Sequence, residues 1–99
     1  MYMLDHSKIK GFEWDKGNVD KSWIKHKVSN REAEEAFVNK PNFIFKDEKH
    51  STLETRYLLW GATNKKRGLS IVFTMRKNQV RIISARDINR KERKEYETK

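Results

Sequence analysis

Apolar and polar residues change their period several times along this chain, and each change marks an element. Lys8 to Trp14 alternates, with Phe12 and Trp14 on one side and Glu13 on the other, which predicts a short strand. Residues 1–7 carry no such period and read as a loose lead-in. From Asp15 to Lys27 the spacing turns helical. Val19, Trp23 and Ile24 fall on one stripe expected to face the core, behind Asn18 or Asp15 as the cap. Gly17 weakens the first turn. A second helix starts at Ser29-Asn30-Arg31-Glu32, a capping box in which hydroxyl and carboxylate each satisfy a free amide. Ala33, Ala36 and Phe37 form its buried stripe, and Asn39-Lys40-Pro41 ends it.

The second half reads as strands. Phe43-Ile44-Phe45 is short, and Asp47 to Leu53 is a polar loop. Arg56 to Ala62, Leu69 to Arg76 and Gln79 to Ala85 follow, with turns at 64–68 and at Lys77-Asn78. Asn89 to Tyr96 closes the chain as a helix, opened by a second capping-box pattern, Asn89-Arg90-Lys91-Glu92. The order is β-α-α-β-β-β-β-α in one domain over residues 1–99. That is an α+β fold with helices packed on a mainly antiparallel sheet.

Strand parity sorts the side chains. Leu69, Ile71, Phe73 and Met75 face the helices, and Ser70, Val72, Thr74 and Arg76 face away. A two-residue hairpin at Lys77-Asn78 pairs Arg76 with Gln79, Thr74 with Arg81 and Phe73 with Ile82. Tyr57 and Leu59 point inward; Glu54, Arg56, Leu58 and Trp60 point outward. The outer face therefore collects Glu54, Arg56, Arg76 and Arg81 over Thr74, Leu58 and Val72. Two readings fit: a polyanion site, or a solvated face of cross-strand ion pairs, each contributing only about 0.2–1 kcal/mol. Parity puts Arg86 on the core side, near the last helix.

Charge sharpens this picture. The chain carries a net +9 in 99 residues, and residues 1–50 sum to +1 while residues 51–99 sum to +8. A basic half favours nucleic acid, an anionic membrane surface or an acidic protein. With no cysteine, disulfides and thiolate metal sites are excluded. His6, His26 and His50 have no metal-ligand spacing, and His50 beside Asp47 is a weak cation candidate. No apolar run approaches the roughly 20 residues that span a bilayer, and the start lacks a signal peptide's pattern, so a cytoplasmic location is expected.

These residues resemble the BrnT family of type II toxins, from about Phe12 to Tyr96. Phe12-Glu13-Trp14-Asp15 is similar to the family's opening strand, and Lys25-His26-Lys27-Val28-Ser29 to its Lys-His-Gly-Val-Ser junction. Glu32-Ala33-Glu34-Glu35-Ala36-Phe37 matches the second helix. Asp47-Glu48-Lys49-His50-Ser51 and Glu54-x-Arg56-Tyr57 match the following loop and strand. Val72-Phe73-Thr74-x-Arg76 and Arg81-Ile82-Ile83-Ser84-Ala85-Arg86 match the last two strands, and Glu92-Arg93 and Tyr96 the closing helix. Two departures stand out: Lys27 replaces the usual glycine after His26, and Ser22 stands where many members carry asparagine.

The resemblance implies a RelE-like fold, ribonuclease activity that blocks translation, and neutralisation by a BrnA-like antitoxin. That partner would have an acidic toxin-binding part and a ribbon-helix-helix part through which alone the complex meets operator DNA. RNA supplies its own nucleophile, the 2′-hydroxyl, so no metal or other cofactor is expected. Cleavage needs a base and cations for the crowded phosphate. Arg56, Arg76 and Arg81 suit the phosphates, because guanidinium grips them in a planar fork. Glu54 or His26 is the candidate base; His26 reads equally as a helix-end residue stabilised by the dipole. Lys25 is a phosphate contact or a solvated helix charge. Arg86 is an RNA contact or an anchor for the last helix. Trp60 is an exposed stacking platform or a partner-covered patch, and Tyr96 stacks on a base or packs in the core. The rival functions are a non-catalytic nucleic-acid-binding module and a protein that only docks an antitoxin.

Overall fold

The computed structural model describes residues 9–47 and 54–98. The expected lead-in at 1–7, most of the loop before Glu54, and His6 and His50 lie outside them. The elements are β1 (Gly11–Phe12), α1 (Lys21–His26), α2 (Asn30–Val38), β2 (Phe43–Lys46), β3 (Tyr57–Ala62), β4 (Gly68–Arg76), β5 (Gln79–Asp87) and α3 (Arg90–Thr98). Their order is the one expected from the sequence. They build an α+β domain on a five-stranded mixed sheet, ordered β1-β5-β4-β3-β2. Among the described strands only β1 runs parallel to its neighbour, β5.

The β4–β5 hairpin has the expected register: Arg76 opposite Gln79, Thr74 opposite Arg81, Phe73 opposite Ile82. Lys77 and Asn78 both take positive φ, 52° and 66°, as a two-residue turn between right-twisted strands requires. Past Phe73 the register jumps, so that Val72 faces Ser84 and Ile83 is an extra residue. This bulge reverses the parity of β5 beyond Ile82. Ala85 therefore enters the core opposite Ile71. Arg86 lands opposite Ser70 on the outer face, not on the core side as unbroken alternation implied.

The core lies between the sheet and α2. Ala33, Ala36 and Phe37 bury against Leu59, Leu69, Ile71, Phe73, Val80 and Ile82. Phe37 stands edge-on to both Phe12 and Phe73. The Ser29–Glu32 capping box is formed in both directions. At Gly61 a side chain would collide with the carbonyl oxygen of Ala36, so the absent Cβ is what lets α2 settle onto β3.

The first helix departs most from expectation. Residues 16–20 form successive turns, and only Lys21–His26 is helical. Val19, Trp23 and Ile24 do not face the core; they are exposed. Hydrogen bonding, rather than apolar burial, seats this segment. The Asn18 side chain donates to the carbonyls of Glu13 and Ile82, and the Ser22 hydroxyl accepts from the Ala85 amide. Those bonds satisfy the outer margin of β5 where β1 has ended. Lys27 adopts φ 56° at the helix end, carrying in a lysine the conformation that glycine favours.

The last helix crosses the opposite face of the sheet from α2, so the helices are not all on one side. Its capping box forms, with Asn89 Oδ1 accepting from the Glu92 amide and Glu92 Oε1 from the Asn89 amide. Glu92 also meets Ser70 and Arg86, and Tyr96 stands edge-on to Phe43 while donating to the Pro41 carbonyl.

Candidate functional site

Four of the expected site residues gather on the open part of the outer face. Arg76 donates to both oxygens of Glu54, at 3.1 and 3.0 Å. Arg56 is close enough to Glu54 to help hold its carboxylate ionised. Arg81 sits opposite Thr74, one strand over. Below them Thr74 is buried and donates its hydroxyl to the Thr55 carbonyl, which fixes the chain leading into β3.

Two carboxylates that the sequence reading did not enlist complete the group. Arg81 Nη1 donates to Glu13 at 2.9 Å and to Asp15 at 2.8 Å, and Nη2 reaches the other oxygen of Asp15. Glu13 also lies 3.6 Å from Arg76. Three guanidinium groups thus face three carboxylates. The bond from Arg81 holds Asp15 below the usual carboxylate range, and the bond from Arg76 does the same for Glu54. Both arginines rise in turn, through Glu54 for Arg76 and Asp15 for Arg81.

Accessibility separates the two. The Arg81 side chain is only 13% exposed and anchored at both nitrogens, whereas Arg76 is 45% exposed. Arg76 is the more open of the two guanidinium groups, and Arg81 is the more firmly braced. The alternation around Glu13 was a signal for its partner. Glu13 alternates with Phe12 and Trp14, and the pairing of β1 with β5 brings it to Arg81.

Next to this group is a shallow depression of about 380 Å³ lined by Arg56, Leu58, Val72, Ile83, Ser84, Arg86 and Asp47. Its apolar floor and two guanidinium walls connect the Glu54 cluster to α3. Arg86 makes a bidentate pair with Glu92, at 2.8 and 2.9 Å. Burial pushes the Glu92 carboxyl up, but the bonds from Arg86 and the Asn89 amide outweigh it, and its pKa is lowered. Arg86 therefore anchors α3 and lines the depression at once.

The remaining expected residues lie elsewhere. Trp60 is not an exposed platform: it is 6% exposed, packed edge-on to Phe45 at 4.9 Å. Its buried indole nitrogen has no partner among the described residues. His26 and Lys25 belong to α1, beyond the margin of β5. The His26 carbonyl is held by Arg67, and its ring lies near Asp87, at the far end of β5 from Arg81. Six residues of strand separate those positions, roughly 20 Å. His26 is thus apart from the arginine cluster. Tyr96 is a helix anchor rather than an open ring.

Arg67, read from the sequence only as part of a turn, is the hub of that far end. It pairs with Asp87 through Nε and Nη2, with Glu32 through Nη1, and with the carbonyls of His26 and Lys27. One side chain thereby ties the end of α1, the start of α2 and the end of β5. Among the described residues no group of three His, Asp or Glu side chains is arranged to hold a metal ion. Nor is any described helix long and apolar enough to cross a membrane.

Residues 14–92 match the family model described as "Ribonuclease toxin, BrnT, of type II toxin-antitoxin system". No curated protein matches the chain.

Proposed function

Because the chain belongs to the BrnT family of ribonuclease toxins of type II toxin–antitoxin systems, with an antitoxin as its partner, we propose that its outer sheet face cuts RNA and so blocks translation. In this reading the fold is of the RelE-like class, the reaction needs no metal, and the antitoxin is BrnA-like. The 2′-oxygen attacks the adjacent phosphorus, the 5′-oxygen leaves and takes a proton from solvent, and a 2′,3′-cyclic phosphate remains. Arg76 and Arg56 hold the scissile phosphate and Glu54 accepts the 2′-hydroxyl proton. Arg81, braced by Glu13 and Asp15, keeps Arg76 in place through their shared carboxylate. The depression between Arg56 and Arg86 takes the neighbouring nucleotide. His26 and Lys25, across the margin of β5, have no part in the chemistry.

The supporting observation is the exposed bidentate Arg76–Glu54 pair. A phosphate that takes Arg76 displaces Glu54, removes the bond that lowers its pKa, and makes it a better base at the moment one is needed. Binding and activation are then one event. The test is cleavage of a defined RNA by the purified chain, with the product ends identified. Losing one preorganised donor to the transition state costs about 10²–10³ in rate. Arg76→Ala is expected in that range, and Glu54→Gln to cut slowly while still binding RNA. If both variants cleave like the parent and lose only stability, the face is a structural ion-pair lattice, as the matched carboxylates would also allow.

A further inference from the structure

The helix α1 is unusual in what it shows to solvent. It buries none of its residues. Val19 is 39% exposed, Trp23 48% and Ile24 74%. An isolated apolar side chain on a surface needs no explanation, but these three lie within six positions. Trp23 and Ile24 stand on the helix and Val19 in the turn before it, on a segment fixed to the sheet by Asn18 and Ser22. Six residues are far too few to hold a helix by propensity. The fold therefore commits hydrogen bonds, including two from Arg67 to the carbonyls at the helix end, to holding up a surface exposed among the described residues. Sequence patterning and burial disagree here, and such disagreement is expected where function overrides folding economy.

The surroundings give the occupant's chemistry. Lys21 and Lys27 lie three residues before and after Ile24, and Lys25 adjoins it, all exposed. The Lys27 ammonium rests 5.4 Å from the centre of the Trp23 ring. The nearby acids are engaged: Asp15 with Arg81, and Asp20 with Asn30. Exposed apolar side chains among cations fit a partner with apolar side chains flanked by carboxylates. Tryptophan is also among the residues that most often dominate binding energy at protein interfaces.

We propose that Val19, Trp23 and Ile24, with Lys21, Lys25 and Lys27 around them, are the docking surface for an amphipathic acidic segment of the antitoxin. The inference rests on the family's antitoxin partner and is independent of which residues cut RNA. A segment seated there covers α1, on the other side of the β5 margin from the Glu54 cluster. It holds the toxin by a handle rather than by filling its site.

The experiment titrates the full chain with its cognate antitoxin. Trp23→Ser and Ile24→Ser, both at exposed positions, are each expected to weaken binding by about tenfold or more, the range of an interface anchor. Their melting temperatures and their ribonuclease activity without antitoxin stay those of the parent. In the parent complex the tryptophan emission shifts to the blue, and the shift is absent in Trp23→Phe. Affinities within twofold of the parent for both serine variants overturn the proposal. So does a concentration-dependent dimer of the lone chain that Ile24→Ser abolishes, which would assign the face to a second copy. A parent chain that binds antitoxin through this face yet cuts no RNA would sink the catalytic reading alone.

Discussion

Replacing Asn18 by alanine tests how the β5 margin is held. Asn18 is 5% exposed and makes three hydrogen bonds: Oδ1 accepts from the Asp15 amide at 2.8 Å, and Nδ2 donates to the carbonyls of Glu13 at 2.9 Å and Ile82 at 3.0 Å. Each bond is worth about 1 kcal/mol net, and a buried group left unpaired costs about 1–3 kcal/mol. The Ile82 carbonyl is the buried one; the other two ends can reach water. The expected loss is therefore about 2–4 kcal/mol. In a domain of this size each kcal/mol shifts the melting temperature by roughly 4–8 °C, so the melt should fall by about 8–32 °C. Urea unfolding is the cleaner assay: the midpoint drops while its slope stays constant. Asn18→Asp should be at least as damaging, because it sets a second oxygen against two carbonyls. A loss below about 0.5 kcal/mol for Asn18→Ala, the scale of a neutral surface substitution, would refute the view that this side chain carries the margin.

Three further outcomes follow from other contacts. Gly61→Ala drives a methyl into the Ala36 carbonyl and should cost at least the 1–3 kcal/mol typical of overpacking, read as a lower urea midpoint. Acid should destabilise the fold from a defined point. Hydrogen bonds to Arg81, Arg76 and Arg67 lower the pKa values of Asp15, Glu54 and Asp87, and the Ser29 amide and Arg67 that of Glu32. Groups lowered on folding stabilise above their unfolded values, 3.8 for Asp and 4.5 for Glu, and that contribution fades as pH falls through the lower folded values. Stability should be level above about pH 5.5 and decline below about 4.5, more shallowly in Arg67→Ala. Finally, Arg86→Ala should free α3, seen as faster amide exchange at residues 90–98, because its bidentate bond to Glu92 is a main tie of that helix.

Local chemistry was legible wherever the answer lay within a few residues. The Ser29–Glu32 and Asn89–Glu92 boxes and the Arg76–Gln79 register depend on neighbours in the chain, and each formed as read. What failed depended on distant partners. Ile83 gives no sign of being an extra residue, yet it moves Arg86 across the sheet. Trp60 points outward as parity requires but is buried there, on the face that α3 crosses. The stripe of Val19, Trp23 and Ile24 has the period of a core helix; only the three-dimensional arrangement reveals that the core is already filled by α2. At the candidate site, parity placed Arg76, Arg81 and Glu54 together correctly. It was silent about Glu13 and Asp15, which arrive from the far end of the chain through the parallel pairing of β1.

The way β5 ends its ladder has a consequence for the protein in concentrated solution. A sheet that stops with a long bare strand is a template on which another chain's strand can add and grow into fibres. Here β1 spans only two residues, and beyond it the amide and carbonyl that would recruit a newcomer are occupied by the side chains of Ser22 and Asn18. Side-chain plugs of this kind let a small basic domain accumulate without its partner and still refuse to polymerise along that margin.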